Sequence, residues 1–149
     1  MKRIITTSLM LAFITFYANS QSSLNINIFF EGSSPYAADS RMVWIEGHDL
    51  RQYHLSLYRS ITTENRQTIK IMEQAVLNDS KKSVDKEIGY MGSRLYYAFL
   101  SFKPQSPKSG IRRYIFYRNA SLKSNNKKDA TLVYMEGQVS MDELKNLFK

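Results

Sequence analysis

Between Lys86 and Glu136 the chain passes four times through a short run dense in aromatic and β-branched residues, and turn-forming residues close each run. The runs are 86–90, 95–102, 111–118 and 131–136. Such side chains suit the pleated, half-buried surface of a strand. Runs of this length between glycine, proline, serine and asparagine clusters mark strands joined by turns. Met91-Gly92-Ser93 supplies the first turn, residues 104–110 with two prolines and a glycine form a loop, and the polar, lysine-rich stretch 121–129 makes the last connection. Consecutive strands joined this way form an antiparallel sheet, not the alternating strand–helix order of a parallel one.

Upstream, Phe29-Phe30-Glu31-Gly32, Val43-Trp44-Ile45-Glu46-Gly47 and, near the end, Val133-Tyr134-Met135-Glu136-Gly137 share one pattern. Each reads as a short strand stopped by glycine, which tolerates the positive φ that other residues resist. Leu50, Tyr53, His54, Leu57, Tyr58 and Ile61 follow helical spacing, although Tyr53, Leu55 and Leu57 also alternate, and the longer count predicts a helix. A second helix is expected over 64–82, where Ile69, Met72, Ala75, Val76 and Asp79 keep one stripe, Thr63 stands at the cap and the interior lacks Gly and Pro. Ser140 and Glu143 have the spacing of a capping box, with Leu144, Leu147 and Phe148 as the apolar stripe behind it. The fold class is therefore α+β: one domain over 21–149, an antiparallel sheet of about four to five strands, helices packed on one face, and a C-terminal helix.

Residues 1–20 have the three parts of a secretory signal: Lys2 and Arg3, a mostly apolar stretch over 4–17, and Ala18 and Ser20 at the small positions before a cut ahead of Gln21. Fourteen helical residues reach about 21 Å, short of a hydrocarbon core of about 30 Å, so the segment is expected to be removed rather than retained as an anchor. The expected location is periplasmic or extracellular, with no transmembrane span in the mature chain. Removal leaves 19 basic and 13 acidic residues, a net charge of +6, with the excess carried by Arg112, Arg113, Arg118, Lys123, Lys127 and Lys128. A basic surface draws polyanions, and export makes nucleic acid the least natural of them.

The segments 43–47, 50–60, 73–79, 95–99, 113–119 and 132–148 resemble a family of small exported Bacteroidetes proteins of unknown function, in which a closing hydrophobic strand, a glycine and a capped helix are typical. The resemblance implies a Gram-negative periplasmic or envelope setting for an uncharacterised protein. It offers no catalytic residues to transfer.

Little in the chain can build a familiar catalytic site. It has no cysteine and only two histidines, which excludes disulfides, thiolate metal sites and cysteine catalysis. His48 and His54 lie six apart, about 120° out of phase on a helix, so they do not form a paired metal face. Neither a G-x-S-x-G elbow nor a phosphate loop occurs. Glu46 and Glu136 would make a carboxylate pair, the equipment of glycoside hydrolysis, if their strands were neighbours. No catalytic residue, metal ligand or cofactor is assigned, and a cryptic hydrolase ranks third among the readings.

Strand parity carries more information, because successive side chains point to opposite faces. It sets Trp44, Tyr96, Tyr114, Phe116 and Tyr134 on one face, flanked by Arg112, Arg118, Glu46 and Glu136, and leaves the other face largely aliphatic. Rings with arginines are what binding surfaces use. The candidate binding residues are therefore Trp44, Tyr96, Arg112, Tyr114, Phe116, Arg118 and Tyr134. The leading expectation is a non-enzymatic, exported envelope protein acting as an interaction module, through a protein partner or self-association. Its alternative is capture of an acidic glycan or other envelope polyanion by the basic strand and loop over 111–128.

Overall fold

Every one of the four expected runs is a strand, three of them a residue or two longer than the sequence pattern and 111–118 shifted by one residue at equal length. The computed structural model describes residues 23–148; the expected export signal lies outside them. In chain order the elements are β1 (Ser40–Glu46), β2 (Leu55–Thr63), α1 (Arg66–Ser80), β3 (Asp85–Met91), β4 (Arg94–Phe102), β5 (Arg112–Asn119), β6 (Ala130–Gly137) and α2 (Met141–Leu147). The strands form one antiparallel sheet in the order β1-β2-β6-β5-β4-β3. From β2 the chain runs through α1 to the far edge at β3, then meanders back until β6 slots in beside β2. The α+β class stands, with six strands instead of four to five.

The sixth strand is β2, where a helix was expected. The helical count spans two different elements. His48–Tyr53 is a 3-10 turn, and His54 ends it in the left-handed conformation at φ 58°. A strand begins at the next residue; a bulge between Leu55 and Leu57 turns Leu55 to one face, while Ile61 is buried on the other. The Phe29 segment is also no strand. Asn25–Phe29 is a 3-10 turn, and the buried Asp79 carboxylate accepts the backbone N–H groups of Asn25 at 2.7 Å and Ile26 at 3.1 Å. With those donors met by a side chain, this segment needs no neighbouring strand.

Helix α1 starts two residues later than the pattern suggests. Asn65 is its cap, accepting from the Thr68 N–H at 3.1 Å, while Thr63 Oγ1 accepts from the Asn65 N–H. The helix lays Ile69, Met72 and Val76 on a core containing Ile61, Leu132, Ile115 and Leu100, one from each of four adjacent strands, together with Ile26 and Phe29. Each large side chain fully withdrawn from water contributes about 1.5–3 kcal/mol.

The second helix lies on the opposite face, so the expectation of helices on one face is corrected. Only residues 138–140 separate β6 from α2, and the chain folds back over the face that carries Val133 and Met135. Leu144 of α2 is buried there with Phe99, Tyr114 and Leu50. Phe148 stacks on Phe116 with ring centroids 4.8 Å apart. Ser140 does cap α2, accepting the Glu143 N–H at 3.1 Å. The Glu143 carboxylate sits 4.0 Å from His54 Nδ1. Gly137 is where β2, β5 and β6 meet: a Cβ there would stand 2.4 Å from the His54 carbonyl oxygen.

Candidate functional site

The seven expected binding residues do not share a face. Tyr114 lies opposite Met135 and Phe116 opposite Val133, whereas Tyr134 lies opposite Ile115 and Arg59, and Arg59 opposite Trp44. Trp44 and Tyr134 thus belong to the α1 face, and Tyr114 and Phe116 to the α2 face. Tyr114 is fully buried, its burial raising the phenol pKa, and its hydroxyl donates to the Val139 carbonyl. Tyr134 is also buried. Burial, then the Glu136 carboxylate that accepts its hydroxyl at 2.6 Å, pushes its pKa well up. Arg112 and Arg118 are exposed on the α2 side. Tyr96 joins that side through a bulge: Gly89 pairs with Tyr97 and Tyr90 with Leu95, leaving Tyr96 as the extra residue. The same bulge sends Leu95 into the core with Ala98 and Leu100, against simple alternation.

Trp44 alone of the aromatic set stands well out, at 55% exposure, and its ring covers the Arg59 guanidinium, 5.1 Å from the centroid. Glu46 and Glu136 are not on neighbouring strands; β2, with Leu57 opposite both, runs between them. The carboxylate pair needed for glycoside hydrolysis is not assembled by adjacent strands.

What the fold does assemble is a basic cleft from parts distant in sequence. Arg66 opens α1 and Lys70 follows one turn later, Arg94 begins β4, and Lys127 and Lys128 come from the β5–β6 connection; they line one cleft of about 570 Å³. Its first helical turn carries no acidic residue. A cation at this positive end of a helix opposes the macrodipole by about 0.3–1 kcal/mol, so helix stability does not account for Arg66. Glu64 is the acidic residue on the lining, and Arg94 is held from behind by Glu73 at 2.9 Å.

Local hydrogen bonds shape the wall that presents the lysines. Asn119 Oδ1 accepts both the backbone N–H and the hydroxyl of Ser121. A 3-10 turn over Ala120–Leu122 follows, closed by the Lys123 N–H on the Ala120 carbonyl at 3.1 Å. Ser124 then accepts the Lys127 N–H through its carbonyl at 3.2 Å and the Asn126 N–H through its hydroxyl at 3.3 Å. Successive turns of this kind fold the connection compactly and point its lysines to solvent. Asn119, Ser121, Ser124 and Asn125 line the cleft between the cations.

A second cleft, of about 410 Å³, adjoins it on the other side of the same connection, lined by Tyr96, Arg118, Lys123, Ser124, Lys127 and Asp129 among others. Burial raises the Tyr96 phenol, but the Arg118 hydrogen bond at 3.4 Å and the charges of Arg118 and Lys123 outweigh it and hold the pKa below the usual tyrosine value. Among the described residues no group of three or more histidine, aspartate or glutamate side chains is arranged to hold a metal ion. Nor is any described helix long and apolar enough to cross a membrane.

A family model described as a family of unknown function, DUF6108, matches residues 13–148, most of the chain. The chain belongs to DUF6108. No curated protein and no solved structure matches it significantly. The basic cleft of this DUF6108 chain was only half visible in sequence. Lys123, Lys127 and Lys128 stand out as a cluster, but Arg66, Lys70 and Arg94 gain meaning only when α1 and β4 converge on that connection. The expected helix start at Glu64 hid the signal, which shows only when the structure begins the helix at Arg66 with no acid in its first turn.

Proposed function

We propose that this chain is a non-catalytic binding domain, exported to the envelope of a Bacteroidetes-type cell, that captures an acidic glycan in the cleft between α1 and residues 120–129. One observation carries the reading: five cationic side chains from three separate parts of the chain line one concave surface against a single carboxylate, Glu64, with the rest of its polar lining amide and hydroxyl. The cations suit carboxylate or sulfate groups, and the neutral hydrogen-bonding groups suit the hydroxyls of a sugar. Single-stranded nucleic acid is a poorer fit, because such sites rest on rings for base stacking and this cleft is lined by none. Titration calorimetry with dextran sulfate against neutral dextran tests the reading. Binding of the sulfated chain alone, weakened at least tenfold in Lys127→Glu/Lys128→Glu, is the expected result. Equal response to both polymers defeats it.

The interaction-module reading keeps a narrower basis at the β1 edge. Met42, Val43 and Trp44 are 41%, 46% and 55% exposed there, on a strand with one edge unpaired in the sheet. Natural edge strands are usually blunted by charge, proline or a bulge; β1 pairs with β2 in unbroken register and contains no proline, and its charges, Arg41 and Glu46, leave Met42, Val43 and Trp44 as an uncharged run between them. Sedimentation of the wild type and Val43→Lys decides whether the edge associates.

A further inference from the structure

Building on the glycan reading, we infer that the two basic clefts flanking residues 120–129 form one continuous groove, and that its ligand is a linear polyanion long enough to engage both. Ser124 and Lys127 line the first cleft and also the second. The two clefts therefore meet at these residues, and Lys127 stands between them as a cation common to both linings. On the α1 side the groove offers Arg66 and Lys128 with it; on the β5 side it offers Arg118 and Lys123.

The acidic neighbours are few and differently placed. Glu64 borders the α1 side and Asp129 the β5 side, one carboxylate against several cations in each cleft. A monosaccharide carrying one charge reaches one cleft only. A polymer with a charge on successive sugars places several along the track, and once its first units are held, contacts further along form at high effective concentration. The Tyr96 ring is flanked by Arg118 at 5.9 Å and Lys123 at 5.5 Å. With cations over the ring, this residue serves to hold the two charges in place, not as a platform for a base. That favours a glycan over a nucleic acid.

Length dependence separates this inference from the reading beneath it. Fluorescence titrations with sulfated di-, tetra- and octasaccharides, each at one low salt concentration, should show affinity rising at least tenfold from the shortest to the longest. In Arg118→Glu/Lys123→Glu the gain between tetra- and octasaccharide should collapse to less than about threefold. Binding that is the same at every length, in a protein that does bind, overturns the groove and leaves the single-cleft reading standing. No binding at any length defeats both. A single-stranded oligonucleotide of matched charge that binds tighter than the octasaccharide overturns the glycan class. Circular dichroism of the double variant, compared with wild type, checks that the sheet is retained; if it is not, Lys123→Glu alone on its exposed turn replaces it.

Discussion

Glu73 of α1 holds Arg94 at the start of β4 through one carboxylate oxygen, 2.9 Å away, and accepts the Leu95 backbone N–H through the other at 3.0 Å. One mostly buried side chain thereby ties the helix to the start of β4, the two elements that bring Arg66, Lys70 and Arg94 to the basic cleft. It also sets how much of the Arg94 charge the cleft offers.

Replacing Glu73 by Gln should separate these two effects. Charge-assisted hydrogen bonds of this kind are each worth about 1.5–3 kcal/mol, so urea denaturation should give a lower midpoint. Arg94 meanwhile loses its counter-ion, and affinity for dextran sulfate should rise a few-fold at low salt. A variant that is less stable and also binds less would mean that Glu73 shapes the cleft more than it neutralises it.

The Glu87–Lys145 ion pair ties α2 to the edge strand β3, and its pH dependence has a fixed sign. The hydrogen bond from Lys145, then that from the Tyr97 hydroxyl, lowers the Glu87 pKa below the ordinary 4.5. A lowered carboxylate contributes stability that is present above the unfolded value and lost as pH falls through the folded one. Lys145 is raised by the same partner, so its share is lost only in strong alkali. Wild type should therefore exceed Glu87→Gln in melting temperature near neutrality, with the difference shrinking as pH falls below the ordinary carboxylate value of 4.5 and lost once the folded carboxylate is protonated. A gap that is constant down to acid pH would contradict the pairing.

Burial ranks the aromatic residues. Tyr114→Ala removes a fully buried ring and should cost about 3–5 kcal/mol. Trp44→Ala leaves the core intact and forfeits the exposed contact with Arg59, about 0.5–1 kcal/mol. Guanidinium denaturation of the two variants side by side should give this order. The reverse order would mean that β1 packs more tightly than its exposure indicates.

At the C-terminus, Ser140→Ala should cost about 0.5–2 kcal/mol through the lost Glu143 N–H acceptor. Leu144→Ala, which empties a buried site against Tyr114 and Met135, should cost about 2–5 kcal/mol. Thermal melts of both check the capping and the packing of α2 independently.

The strand pattern was legible where one segment is one element. Runs such as 111–118 alternate across a sheet covered on both faces, and their ends hold to within a residue. The stretch 50–61 misled because a 3-10 turn and a strand meet at His54, and periodicity counted across that joint belongs to neither. Facing was harder still. Parity within a strand says which residues oppose each other, but only the register says that Tyr114 meets Met135 and not Tyr134. The Tyr96 bulge reverses parity in mid-strand with no sign in composition. The candidate site suffered most, since Arg66 and Arg94 reach Lys127 only through the crossover of α1.

The salt dependence of polyanion binding tests the central claim most directly. The affinity for dextran sulfate should be measured across a salt series in the wild type and in Lys127→Glu/Lys128→Glu. Ion-pairing with several groups releases counter-ions, so log affinity should fall steeply and linearly with log salt, and the double variant should show weaker binding and a shallower slope. Affinity that is insensitive to salt, or a double variant that matches the wild type in both affinity and slope, would contradict the assignment of the cleft.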